Sequence, residues 1–273
     1  MNIKTHDILI KPINNIKLYI TLSKVSFSSL QIYNAAILVM IIRNALVFML
    51  QIALWYAIHK SNNDLSLPYI INYLFLSQII TVMYPRASGR KISRLIATGN
   101  IMIKFLRPIS IFTELFFDNL ARSFYFFLVN SIPLTIIYYV MFKQLPHIHF
   151  SGAIIIFCLY SYVLCFLFEC IFGCLSFFTY SFWGIQSLEY ALTGLLTGKF
   201  IPLRFYPQWL LKYINILPFK YMYYFPIEQI LQHEKSVLST FDIFAMLLYL
   251  LGFMLLLTFA YRKGKVCVTI QGG

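Results

Sequence analysis

Hydrophobic positions in this chain come in long blocks rather than in the rhythm of a soluble helix or strand. Runs of Ile, Leu, Phe and Tyr are separated by short polar breaks. About 20 apolar residues suffice to cross the hydrocarbon of a bilayer. The runs therefore predict spans at about 36–58, 68–85, 121–142, 151–176, 184–203 and 239–261. Ahead of them, Leu9, Ile13, Ile16 and Ile20 recur at helical spacing among Lys4, Lys11, Lys17 and Lys24, with Pro12 tolerable in a first turn. Residues 1–34 thus predict an amphipathic helix on the membrane surface, its lysines near anionic headgroups. A compact apolar core and a small-residue cleavage site are missing, so this is not a signal peptide.

Three stretches depart from simple spanning. The block 109–142 is too long for one ordinary span, and predicts an interfacial helix to about residue 119 followed by the span 121–142, with Pro133 as a kink. Glu114, Asp118 and Arg122, spaced by four, share one face there and read as interfacial packing and ion pairing rather than a transport pathway. Residues 198–235 hold Pro202, Pro207, Pro218 and Pro226 among the interface-preferring Trp209, Tyr213, Tyr221, Tyr223 and Tyr224. Apolar pieces broken this often predict a helical hairpin dipping into the outer leaflet, covered by protein where its backbone is irregular. The third stretch is 86–107, with Arg86, Arg90, Lys91, Arg94, Lys104 and Arg107 and no acidic residue.

That cationic segment sets the orientation, because Lys and Arg collect on the cytoplasmic side. With it inside, both termini are cytoplasmic. Thirteen cations then lie inside, seven lie outside, and Arg43 and Arg122 sit near the membrane boundary. Composition agrees with a membrane class. Hydrophobic residues make up 60% and charged ones 11%, against about 45–50% and about 25% in soluble domains. The formal charge of +13 does not imply nucleic-acid binding, because the cations cluster at span ends. One membrane domain over 35–273 follows the surface helix.

Chemistry is sparse. Cys158, Cys165, Cys170 and Cys174 fall in one apolar block and Cys267 in a basic tail, which argues against a disulfide framework. Cys170 and Cys174 share a face beside Glu169 but have no histidine to complete a metal site, and His147 and His149 are only two apart in a loop. Gly194-Leu-Leu-Thr-Gly198-Lys199-Phe200 has three residues between its glycines where a phosphate-binding loop needs four, and Phe200 where Ser or Thr holds magnesium. Gly194 and Gly198 read instead as a small-residue pair for helix packing. His233-Glu234 lacks the second zinc-binding histidine. Glu169 is an intramembrane carboxylate, a functional candidate by default, with a hydrogen-bonded structural role as the alternative.

Several motifs taken together resemble the permease subunits of ABC-2 type exporters, specifically the six-span ABC-2 family transporter proteins. Gly99-Asn-Ile-Met-Ile-Lys104-Phe-Leu-Arg107-Pro108-Ile-Ser110 is similar to that group's inner-loop turn. Pro202-Leu-Arg-Phe205-Tyr-Pro207-Gln-Trp209-Leu is similar to its outer Pro-Leu-x-Phe-x-Pro-x-Trp-Leu segment. Leu217-Pro218-Phe219, Tyr224-Phe-Pro226 and the terminal Gln271-Gly-Gly follow in order. Glu189 and Gln186 have no counterpart in the pattern.

The resemblance implies an all-α, polytopic half-transporter of a bacterial plasma membrane. It pairs as a homodimer, or as a heterodimer with a related chain. Two separate ATPase subunits bind ATP and magnesium; this chain carries no cofactor of its own. Arg90, Lys91, Arg94, Gly99, Lys104, Arg107 and Pro108 would form the surface coupled to the ATPase. Glu169, Glu189, Asp118 and Arg122 are the intramembrane polar candidates. The substrate would be hydrophobic or amphipathic: a peptide, antibiotic, lipid-linked glycan or drug. The rival is a stand-alone ion-coupled carrier or an intramembrane enzyme using Glu169 or the Glu114/Asp118 pair.

Overall fold

The computed structural model describes residues 21, 23–30, 34–61, 66–85, 87–107, 109–146, 148–149, 151–179, 182–231 and 240–267. Most of the amphipathic segment expected over 1–34, Arg86, Pro108, His147 and His233-Glu234 lie outside them. Among the described residues eleven helices follow one another: α1 (residues 23–30), α2 (Asn34–Ser61), α3 (Leu67–Met83), α4 (Ser88–Ala97), α5 (Ile101–Phe105), α6 (Ile111–Phe142), α7 (Gly152–Leu175), α8 (Phe182–Leu196), α9 (Gln208–Ile216), α10 (Tyr224–Leu231) and α11 (Thr240–Cys267). Single 3-10 turns at Leu203–Phe205 and Pro218–Tyr221 separate the short helices. Among the described residues there is no strand.

Five helical stretches among them are long and apolar enough to cross a membrane: Ala35–Lys60, Leu67–Ala97, Ile111–Phe142, Gly152–Leu175 and Asp242–Cys267. The expected interfacial helix and third span are one continuous helix, α6, of 32 residues, with Pro133 inside it. A proline is tolerated there because a membrane helix can re-satisfy the carbonyl it frees. The expected fifth span is shorter than its hydropathy implied. α8 has 15 residues, about 22 Å at 1.5 Å per residue, where the hydrocarbon is about 30 Å thick. It ends where Gly198 takes φ +81°, and the chain turns beside the middle of α3. There Tyr73 Oη donates to the Gly198 carbonyl at 2.7 Å and Ser77 Oγ to that of Lys199 at 2.6 Å. Lys199 therefore sits at mid-depth, not at the outer end of a span.

α3 is the buried axis. Nearly all of its side chains from Tyr69 to Val82 are enclosed, and its polar groups are spent on neighbours. Tyr138 Oη donates to Asn72 at 2.6 Å, and Gln78 Nε2 to Gln51 at 2.9 Å. Polar side chains buried between membrane helices persist when each finds such a partner. Pro85 ends the axis, since the residue before a proline is pushed out of the helical region, and Tyr84 is extended. The chain then re-enters a helix at Ser88 as α4, buried on the Ser88, Gly89, Ile92 and Ser93 face and exposed at Arg90 and Arg94.

The two ends of the bundle differ. At one, Trp55 of α2 packs on Phe205, Tyr69 of α3 donates to Glu228 of α10, and His149 N–H reaches the Ile230 carbonyl at 3.0 Å. At the other, Tyr261 of α11 meets Phe105 of α5 and Phe112 of α6, with Lys265 over Phe105 at 4.6 Å. The Pro-interrupted segment over 198–231 is thus short helices and turns on the first end, and the cationic segment lies at the second.

α4 crosses α7 at close range. A Cβ on Gly173 would stand 2.9 Å from the Gly89 Cα, and one on Gly89 2.7 Å from the Glu169 carbonyl oxygen. The expected pair Gly194/Gly198 works differently. Gly194 is bare to admit the Phe200 ring of its own following turn, and Gly198 to reach its positive φ. Gly173→Ala is expected to destabilise by about 1–3 kcal/mol through overpacking. Gly252→Ala, with nothing within 4 Å of its Cβ, is neutral. Thermal melting of both variants in detergent checks this; equal melting of Gly173→Ala and the parent would contradict the crossing.

Candidate functional site

The first turn of any α-helix leaves backbone N–H groups without helical acceptors. In α4 the flanking Ala87 has no side chain to accept them. Glu169, from the last third of α7, does so instead: the Ser88 N–H donates to its Oε2 at 2.9 Å. Asn119 of α6 donates its Nδ2 to the Ser88 hydroxyl at 2.8 Å and to its own helix's Leu115 carbonyl at 2.8 Å. One turn further along α4, the Ser93 and Ser176 hydroxyls share a hydrogen bond of 2.6 Å. A carboxylate at a helix N-terminus also meets the positive end of the helix dipole. Glu169 and Gly173 are four apart and so share a face of α7. That one face supplies both the acceptor and the gap that lets α4 in.

The cationic side chains divide. Lys91 is ion-paired to Asp118, which also accepts from Ser26 Oγ of α1 and from Arg122 Nε at 3.0 Å. Lys104 grips both oxygens of Glu114 at 2.6 and 2.8 Å. The expected polar stripe Glu114, Asp118 and Arg122 is therefore an ion-pairing face on which α1, α4 and α5 sit. Partly exposed pairs of this kind each contribute only about 0–1 kcal/mol, so they fix position more than stability. Arg94 and Arg107 point outward and are exposed. Between α4 and α5, Gly99 has φ +71°, the left-handed turn that glycine adopts without Cβ strain.

A cleft of about 410 Å³ opens beside this joint. α2 contributes Arg43, Asn44 and Val47 to one wall, and α8 contributes Gln186, Glu189, Tyr190 and Thr193 to another. Gly89, Arg90 and Glu169 lie at one end, and the turn at Lys199 and Phe200 at the other. Its volume falls in the range of ligand sites, about 300–1,000 Å³. Lys199 Nζ is held 5.3 to 5.6 Å from the ring centroids of Tyr190, Phe200 and Tyr223.

The structure brings Glu169, Glu189 and Arg90 to this one cleft and keeps Asp118 and Arg122 apart on α6. The prolines over 202–226 do different work: Pro202, Pro218 and Pro226 are buried, while Pro207 precedes α9, whose Trp209 is 67% exposed. Sequence reasoning missed Ser88, Gly89, Gly173 and Asn119, and placed Arg43 and Lys199 at boundaries rather than in a shared cleft. The spacing Glu169-x-x-x-Gly173, opposite a Ser-Gly pair, was the available signal. Among the described residues no cluster of three His, Cys, Asp or Glu is set to hold a metal.

Replacing Glu169 by Ala leaves the Ser88 N–H buried without an acceptor, a loss of about 1–3 kcal/mol, whereas Gln keeps a carbonyl oxygen there. Amide hydrogen exchange of the α4 first turn should accelerate in Glu169→Ala and much less in Glu169→Gln. Unchanged exchange in both would contradict the capping role.

No curated protein and no solved structure matches this chain. A family match, described as ABC-2 family transporter protein, covers residues 41–272, from within α2 to beyond the end of α11. The chain belongs to the ABC-2 family of transporter membrane proteins.

Proposed function

We propose that this membrane-integral protein is the permease subunit of an ATP-driven exporter, moving a hydrophobic or amphipathic substrate out of the cytoplasm or the inner leaflet. The observation that carries the reading is the joint of α4 to α7. A cationic helix at one end of the bundle is fastened to the C-terminal third of a buried spanning helix by Glu169, by the Gly89/Gly173 crossing and by the Ser93–Ser176 bond. Force on the exposed face of α4 then moves α7, and with it one wall of the cleft. Two separately encoded ATPase subunits, binding ATP and magnesium, supply that force from the cytoplasm. Arg94 and Arg107 are the contacts we assign to them, while Lys91 and Lys104 hold the segment to α6. Two permease copies, identical or related, complete the assembly in a bacterial plasma membrane with both termini inside. The segment 198–231 forms the outer re-entrant cover.

The stand-alone carrier or intramembrane enzyme fares less well. Its proposed carboxylates are engaged structurally: Glu169 by α4, Asp118 by Lys91 and Arg122, Glu114 by Lys104. Switching between two packings of rigid helices is the familiar means of alternating access, and the α4–α7 joint gives it a lever.

The test is co-purification with the ATPase encoded alongside, followed by its rate of ATP hydrolysis. Charge reversal at an interface commonly costs several kcal/mol. The double variant Arg94→Glu/Arg107→Glu should therefore lose about tenfold or more of the stimulation given by the parent chain. A parent chain that neither binds nor stimulates the ATPase, or reversals without effect, would contradict the reading.

A further inference from the structure

The hydroxyl groups of α3 mark a seam through the bundle. Tyr69, Tyr73 and Ser77 are spaced by four and so form one stripe along that helix. Each donates to a different point on the short pieces that follow α8. Tyr69 Oη donates to the Glu228 carboxylate of α10, Tyr73 Oη to the Gly198 carbonyl at 2.7 Å and Ser77 Oγ to that of Lys199 at 2.6 Å. The other faces of α3 are bonded elsewhere, to α6 through Tyr138 and Asn72 and to α2 through Gln78 and Gln51.

The pieces on the far side of the seam hang together. The Tyr224 N–H at the start of α10 donates to the Thr197 carbonyl just past α8 at 3.0 Å, which joins the turn to α10. Ser161 of α7 donates to the Tyr221 carbonyl at 2.6 Å, and Tyr249 of α11 to that of Ile216 at 2.5 Å. The pieces therefore belong with α7 and α11, while α3 belongs with α2 and α6. They also close one end of the cleft, to whose lining they give Lys199, Phe200, Met222 and Tyr223. The fit at the seam is tight: a Cβ on Gly198 would stand 2.9 Å from Tyr73 Oη and 3.0 Å from the Tyr224 Cβ. Packed interfaces of this kind switch between discrete arrangements rather than slide.

The three ties are not equal. Tyr73 and Ser77 bond backbone carbonyls at the middle of α3, where little could replace a broken bond. Tyr69 bonds a buried carboxylate at the end of the bundle, beside the exposed Arg204, whose guanidinium lies 4.6 Å from the Tyr69 ring centroid. Water can take over a broken hydrogen bond at that edge. We infer that the hydroxyl stripe of α3 latches the outer end of the cleft, with the Tyr69–Glu228 tie as the one that opens first. The export reading supplies what passes the latch; the latch itself stands on the bonds across the seam.

The cleft carries its own reporter, since Cys165 lines it and is buried. The experiment labels the full-length chain, with Cys158, Cys170, Cys174 and Cys267 replaced by Ala, using a membrane-impermeant thiol reagent. Spheroplasts present the outer side and inverted vesicles the inner one, and labelling is taken relative to the chain unfolded in detergent. The parent should label slowly from both sides. Tyr69→Phe, which removes only the hydroxyl, should speed labelling from outside about tenfold, the scale of one hydrogen bond to a charged acceptor. Glu228→Gln keeps a carbonyl oxygen for Tyr69 and should speed it less. Tyr138→Phe removes a buried hydroxyl from the α6 side of α3 and should label as the parent does.

Unchanged labelling in Tyr69→Phe would overturn the inference. An equal rise in Tyr138→Phe would replace a latch with general loosening and overturn it too. A rise confined to inverted vesicles would keep the latch and sink the orientation in the export reading. No ATPase takes part, so a chain that shows the rise from outside yet couples to no ATPase would sink the export reading alone.

Discussion

The carboxylate of Glu169 meeting the backbone N–H of Ser88 is the contact on which the rest of this structure depends. A helix N-terminus inside an apolar bundle is unfavourable until its donors are met. Here the acceptor comes from a different helix, so satisfying α4 also attaches it to α7. The small residues follow from the same requirement. The hydrogen bond forms only if the two backbones approach, and Gly89 against Gly173 permits that approach. The cleft follows as well, because α8 then has α4 and α7 as its support and leaves a gap toward α2.

From that joint the two ends of the molecule acquire different characters. At the α4 end, cations are sorted by partner: Lys91 and Lys104 face carboxylates of α6, and Arg94 and Arg107 face outward. At the other end, the short pieces between α8 and α11 are tied to α3 by Tyr69, Tyr73 and Ser77. α3 itself ends at Met83, five residues before α4 begins. The buried axis is therefore tied to the short pieces by side-chain hydrogen bonds and to the cationic helix by the short connection after Pro85.

Much of this was legible in the sequence, for stated reasons. Block hydropathy located α2, α3, α7 and α11, because nothing but length and apolarity is needed to recognise a spanning helix. The spacing of Glu114, Asp118 and Arg122 correctly read as ion pairing. Two readings failed where hydropathy is blind to geometry. It divided α6 at residue 119, because the charged side chains there resemble an interface until their partners on α1 and α4 are seen. It also extended α8 to residue 203, because Phe200, Ile201 and Leu203 resume the apolar run just past the turn at Gly198. The sequence does not decide between a functional and a structural role for Glu169, since its partner is a backbone N–H that no side-chain pattern announces.

The central claim is that α4 and α7 move as one body, and a covalent bond between them tests it. The Ser93 and Ser176 hydroxyls, 2.6 Å apart, mark the place for a Ser93→Cys/Ser176→Cys disulfide in a chain whose native cysteines are replaced. The readout is stimulation of the partner ATPase before and after oxidation. Unchanged stimulation in the cross-linked chain is the predicted result, because the two helices never part. Abolished stimulation, restored on reduction, would show that they separate during the cycle and would contradict the account.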